Sequence, residues 1–79
     1  MGSLSNVPIT FVGGGTMAEA FIRGLLGEEL ATGQKITASD PLDERRAYLS
    51  EQLGVRTSCS NVEAIFGAQI VVLAIKPQV

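Results

Sequence analysis

Apolar positions along the chain switch between two spacings. Ile9-Thr10-Phe11-Val12 is a short apolar block that reads as a buried strand, and it runs into three consecutive glycines, Gly13, Gly14 and Gly15. From Thr16 the period changes. Ala18, Phe21, Ile22, Leu25 and Leu26 recur at helical spacing and make one apolar face, which fades near Gly33. Ile36-Thr37-Ala38-Ser39 reads as a second strand. Asp40-Pro41 then predicts a helix start, with Asp as N-cap, Pro at the first helical position, and Asp43 and Glu44 at the positive end of the dipole. Leu42, Leu49 and Leu53 supply a thin apolar stripe, and Gly54 is a natural stop. Val55-Arg56-Thr57 reads as a weak third strand, followed by a short helix capped by Ser60 or Asn61 and running through Phe66 to Gly67. Ile70 to Ile75 is a near-continuous apolar run, largely β-branched, of the kind found in parallel sheets covered on both faces.

Strands alternating with helices predict an α/β fold, a Rossmann-like doubly wound parallel sheet with strand order 3-2-1-4. In that order the fourth strand is an edge, and long apolar edges promote association. Further strands are therefore expected to follow, and the chain reads as part of a larger protein that would fold marginally, or associate, in isolation.

Composition narrows the function classes. The 79 residues allow one small domain. With 18% charged residues and a net charge of −2, there is no electrostatic footprint for nucleic acid or an anionic membrane. Histidine is absent, so acid–base or metal chemistry would need other residues, and no metal site is expected. The single cysteine, Cys59, excludes an internal disulfide, fits a reducing compartment, and is expected to be small, apolar and partly buried. Residues 1–6 read as an N-terminal extension without the basic and apolar regions of a secretory signal, and Asn6 breaks the myristoylation pattern. The run from Ile70 to Ile75 is too short to span a bilayer, and the cytoplasm is the expected location.

Gly13-Gly14-Gly15-Thr16-Met17-Ala18 fits G-x-G-x-x-G/A with alanine in the last place. In the dinucleotide reading, Gly13 permits the tight strand-to-helix turn and Gly15 lets a pyrophosphate approach the backbone. Ala18 lets the helix pack closely on the strand. Free N–H groups of the first helical turn, aligned with the helix dipole, would face the phosphates. The spacing alone is weak, but here it follows a strand, opens an amphipathic helix and leads to a second strand ending in an acid. A nucleoside-triphosphate P-loop is excluded, because no G-K-[ST] follows the glycines. Residues 7–79 thus read as a truncated dinucleotide-binding domain.

Asp40 lies where an acid accepts hydrogen bonds from the adenosine ribose, which taken alone favours NAD over NADP; a plain helix cap is the competing role. Ser39 could bond a phosphate. Arg45 and Arg46 could swing toward a phosphate charge, although solvation on the helix surface is the plainer expectation. Ala74, Lys76 and Pro77 sit at the carboxyl end of the last strand, where open α/β sheets bind ligands. Lys76 could equally be an exposed lysine that simply ends the strand.

Together, Ile9 through Ala20, then Ile22-Arg23-Gly24-Leu25, Ala38-Ser39-Asp40-Pro41 and Val72 through Gln78 closely resemble the opening of pyrroline-5-carboxylate reductases. The likeness covers nearly all of the chain after the first half-dozen residues. Its Met-Ala-Glu-Ala continuation and Ala-x-Lys-Pro strand end are far more specific than the glycine pattern. Thr16 stands where the family more often carries Asn, and the family's second, helical domain for dimerisation and substrate binding has no counterpart here.

The resemblance implies reduction of the C=N bond of 1-pyrroline-5-carboxylate to L-proline by NAD(P)H, in a homo-oligomeric parent protein. It implies that Gly13, Gly15, Thr16 and Met17 line the pyrophosphate and nearby ribose. Ser39 and Asp40 would meet the adenosine ribose, and Ala74, Lys76 and Pro77 would lie near the nicotinamide. The family generally prefers NADPH, against the pull of Asp40. No catalytic acid or base is expected within these residues, and without the second domain they are not expected to turn over substrate.

Two other classes stay open. One is another imine reductase or a β-hydroxyacid dehydrogenase, whose members usually present Gly-x-Met-Gly after the glycines, where Met17 is here followed by Ala18. The other is a non-catalytic dinucleotide-sensing module, which would need a protected edge beyond Ile75.

Overall fold

The computed structural model describes residues 6–74. Four strands, β1 (Ile9–Val12), β2 (Ile36–Ser39), β3 (Arg56–Ser58) and β4 (Ile70–Leu73), alternate with helices α1 (Thr16–Gly27), α2 (Asp43–Leu53) and α3 (Asn61–Ile65). The strands form one parallel sheet in the order β3-β2-β1-β4, as the alternation predicted. β1 lies at its centre, with Ile9 beside Ile36 on one flank and beside Ile70 on the other.

Strand geometry sends alternate side chains to opposite faces. Ile9, Phe11, Ile36 and Ala38 join Ala18, Ile22 and Leu25 of α1 and Leu49 of α2 in one buried cluster. Phe21 lies against this cluster edge-on to Phe11, ring centroids 5.5 Å apart, yet stays half exposed. The other face carries hydroxyls. Buried Thr10 donates through Oγ1 to the Ala64 carbonyl at 2.6 Å, and Ser39 Oγ donates to Asn61 Oδ1 at 2.6 Å. Both bonds tie the sheet to α3, so this short helix is held largely by polar links. Ser60 caps it, accepting the Glu63 N–H at 3.2 Å.

Several boundaries differ from expectation. α1 stops at Gly27, because the apolar period ends at Leu26 and Glu29 takes a left-handed φ of 56° that breaks the helical ladder. A 3-10 turn at Gly33–Lys35 then leads into β2. α2 begins at Asp43 with Leu42 as its N-cap, not at Asp40-Pro41. Leu42 consequently faces outward, and Leu49 alone of the predicted stripe is fully buried. β3 starts one residue late, at Arg56. β4 is an edge among the described residues, with Ile70, Val71 and Leu73 exposed; Ile75 lies outside the described residues. At the end of the sheet remote from the glycine loop, Gly33 packs so tightly that a Cβ there would collide with the Gly54 carbonyl oxygen. Gly54 itself ends α2 at φ 69°. Among the described residues no helix is long and apolar enough to cross a membrane.

Candidate dinucleotide-binding site

The three glycines connect β1 to α1, and each meets a different constraint. Gly13 has a φ of 103°, a conformation costly for any residue with a Cβ, and its N–H donates to the Ser39 carbonyl at 3.0 Å. Gly14 is buried against the protein itself: a Cβ would lie 2.8 Å from Leu49 Cδ1 and 3.2 Å from both Cβ and Oδ2 of Asp40. Its N–H donates to Asp40 Oδ2 at 3.1 Å, and its carbonyl accepts from Arg45 Nε. Gly15 is the N-cap of α1, exposed, and a Cβ there would meet nothing within 4 Å.

Beyond the loop, the Glu19 N–H reaches the Gly15 carbonyl at 3.0 Å and so opens the helical ladder. The N–H groups of Gly15, Thr16 and Met17 precede that ladder, and no partner reaches them among the described residues. Thr16 and Met17 are exposed, whereas Ala18 is wholly buried where α1 crosses β1. The surface is exposed, bare backbone at the positive end of a 12-residue helix. These features fit an anionic diphosphate on geometry and charge.

Asp40 bonds two backbone amides at once. Oδ2 takes Gly14, and Oδ1 takes the Leu42 N–H at 2.9 Å in an Asx turn. This turn is why α2 starts late: the carboxylate is spent on the loop and on Leu42, so it does not cap the helix. Ser39 has no exposed surface. It serves the loop through its carbonyl, while its hydroxyl is enclosed between Asn61 and the Phe11 carbonyl.

The arginines are not solvated as expected. Arg45 bonds the Gly14 carbonyl, reaches Glu19 Oε1 through Nη2 at 2.8 Å, and lies 4.9 Å from the centroid of the Tyr48 ring. Arg46 donates to the Asp40 carbonyl at 2.6 Å and pairs with Asp43. Glu19 gathers three donors: Tyr48 Oη at 2.7 Å, Arg45, and Arg23 at 2.9 Å. The Tyr48 hydroxyl, then Arg45, then Arg23 hold its carboxyl down to about 2 from an ordinary 4.5. Of this network only the Glu19–Arg23 spacing of four residues is a sequence signal. Arg45 and Tyr48 come from another helix, 26 and 29 residues away.

The Ala74 N–H donates to the Val12 carbonyl at 2.8 Å, which brings the end of β4 alongside the start of the loop. Lys76 and Pro77 lie outside the described residues. A depression of about 400 Å³ lined by Pro41, Leu42, Asp43 and Glu44 adjoins Asp40. A cavity of about 200 Å³ on the α3 face, lined in part by Thr10, Lys35, Thr37 and Arg56, shares no residue with the loop. Cys59 is exposed, contrary to expectation, in the turn between β3 and α3. Among the described residues no three His, Cys, Asp or Glu side chains gather as a metal site.

Comparison with known proteins agrees with this fold. The family described as NADP oxidoreductase coenzyme F420-dependent matches residues 8–79. Pyrroline-5-carboxylate reductases of Haemophilus influenzae and Vibrio alginolyticus are 46% and 40% identical over 70 residues, each covering 89% of this chain and 25% of the relative. A solved pyrroline-5-carboxylate reductase from Coxiella burnetii superposes with a TM-score of 0.85 at 32% identity, over 92% of this chain and 27% of that one. A WlbA dehydrogenase from Chromobacterium violaceum, solved with NADH and UDP-GlcNAcA, shares the fold at TM-score 0.72 and 20% identity, over 87% of this chain and 20% of its own. The chain thus spans about a quarter of the length of the curated relatives it matches.

Proposed function

The chain belongs to the family of NADP oxidoreductases described as coenzyme F420-dependent, and from that membership we propose that it is the cofactor-binding part of a pyrroline-5-carboxylate reductase. The parent protein, on this reading, reduces 1-pyrroline-5-carboxylate to L-proline with NADH or NADPH, in the cytoplasm and as a homo-oligomer. A nicotinamide held here would supply the hydride for reduction of an already protonated imine. These residues bind and orient; none of them acts as acid or base.

The observation that carries the reading is the set of N–H groups at Gly15, Thr16 and Met17, unpartnered among the described residues and presented by a loop whose other amides are already engaged. Gly13 makes the turn, Gly15, Thr16 and Met17 receive the diphosphate, and Asp40 meets the adenosine ribose beside the Pro41–Glu44 depression. Ala74 belongs to the nicotinamide side on this reading, and the same role is proposed for Lys76 and Pro77, which lie outside the described residues. Ser39 acts from the interior, through the carbonyl that holds Gly13.

Asp40 decides between the two cofactors. A carboxylate at the ribose repels a 2′-phosphate, yet this one is partly neutralised by two amides. Titration with NADH and NADPH at one salt concentration, repeated with Asp40→Ala, separates its roles. Releasing Gly14 weakens both cofactors alike, so the ratio of the two affinities isolates the ribose contact. The ratio is expected to move toward NADPH. An unchanged ratio leaves Asp40 as a latch on the loop only, and no saturable binding of either dinucleotide by the parent chain removes the functional reading.

A further inference from the structure

The loop is seized at Gly14 by two charged side chains from beyond β2, one on each side of the residue. Asp40 accepts its N–H and Arg45 Nε donates to its carbonyl. No cis peptide occurs among the described residues. In a planar trans peptide the carbonyl of one residue and the N–H of the next point in opposite directions. A Gly14 carbonyl held toward Arg45 therefore turns the Gly15 N–H away from α2, and Gly15 itself is exposed, with open space where a Cβ would stand.

We infer that Arg45 is a positioning residue, which fixes the Gly14–Gly15 peptide so that the Gly15 N–H is aimed at a diphosphate before any ligand arrives. The inference rests on the dinucleotide reading above and adds a residue that the glycine motif does not contain. Arg45 is itself fixed on three sides: by the Gly14 carbonyl, by Glu19 in the first turn of α1, and by the Tyr48 ring. Its charge faces Glu19, so it acts through the direction of one amide and not as a cation waiting for phosphate. A preset loop binds without the cost of ordering two glycines, the most flexible of residues.

Two substitutions separate direction from charge. In Arg45→Gln the amide nitrogen falls at the position of the arginine Nε, so the bond to the Gly14 carbonyl survives while the charge and the Glu19 pair are lost. Glu19 keeps Tyr48 and Arg23, so α1 and α2 stay linked. Arg45→Met removes the donor as well. In the intact chain, Arg45→Met is expected to weaken NADH and NADPH binding by about tenfold, the worth of one hydrogen bond to an anion. Arg45→Gln is expected to stay within about threefold of the parent, since the donor is kept. Without ligand, the Gly15 amide should lose order on the nanosecond scale in Arg45→Met and keep it in Arg45→Gln, as read by ¹⁵N relaxation.

Equal affinity in the parent and Arg45→Met overturns the inference. So does a loss in Arg45→Gln as large as that in Arg45→Met, which would make the charge the active element. A parent chain that binds neither dinucleotide removes the functional reading itself, a failure distinct from either of these. An ordered Gly15 amide in Arg45→Met refutes the positioning role whatever the binding result.

Discussion

Replacing Gly14 with alanine adds one methyl group at the tightest point of the loop, and the surroundings determine its effect. The new carbon would stand 2.8 Å from Leu49 Cδ1 and 3.2 Å from Asp40 Oδ2. Leu49 is fully buried, so its methyl can give way only by repacking within the core. Overpacking of this kind costs about 1–3 kcal/mol. Pushing Asp40 Oδ2 aside also weakens its bond to the Gly14 N–H, of a class worth about 1.5–3 kcal/mol when intact. The stiffer unfolded chain returns about 0.4–1 kcal/mol. The net loss is about 2 kcal/mol, or about 10 °C in melting temperature for a chain of this size. Gly15→Ala is the control, because its Cβ meets nothing within 4 Å and φ is −81°. Its small N-cap penalty and the unfolded-state gain offset each other to within about 0.5 kcal/mol. The Gly15 methyl does, however, stand where a diphosphate would approach. The pair should therefore dissociate: thermal melts fall for Gly14→Ala and hold for Gly15→Ala, while fluorescence titration with NADPH shows affinity lost in Gly15→Ala at unchanged stability. A Gly15→Ala variant that binds normally, or a Gly14→Ala variant that melts with the parent, refutes the division of labour between the two glycines.

Glu19 makes acid stability a test of the α1–α2 link. Its carboxyl is held at about 2, below an ordinary 4.5, so folding favours the ion. That contribution is complete above about 4.5 and drains away as pH falls toward about 2. Urea midpoints measured across that interval should fall less steeply in Glu19→Gln than in the parent. An unchanged slope would mean that the three donors confer no preference for the ion. At the far end of the sheet, Gly33→Ala forces a Cβ against the Gly54 carbonyl oxygen, a backbone atom that cannot rotate away. Destabilisation of about 2–4 kcal/mol is expected in chemical denaturation, and a loss below about 0.5 kcal/mol, the range of ordinary surface changes, would show that the two loops separate easily.

Strand and helix order were legible because burial in a doubly wound sheet leaves a strong periodic mark. The apolar blocks of β1 and β2, and the Ala18–Ile22–Leu25 face of α1, stand in the sequence where the fold uses them. The glycine motif located the loop, and Ala18 behaved as the close-packing position. What was not legible depends on contacts across the fold. Asp40-Pro41 carries every local mark of a helix start, yet the carboxylate is drawn to Gly14, 26 residues away, and the helix begins later. Gly14 occupies the variable place of the motif, and only the neighbouring Leu49 and Asp40, distant in sequence, leave no room for a side chain there. Arg45 and Arg46 looked like solvent-facing positions of a weakly amphipathic helix, and Tyr48 carried no signal at all. Their partners sit on the loop and on α1, and no spacing rule within α2 announces them.

The link between Tyr48 and Glu19 also gives the molecule a built-in optical reporter. With one tyrosine and no tryptophan, the chain's emission under near-ultraviolet excitation comes from that phenol alone. Its hydroxyl is bonded to a carboxylate and its ring is covered by a guanidinium, an arrangement that quenches phenol emission. Brightening would signal separation of the two helices under the loop, and it can be followed in real time without any attached dye.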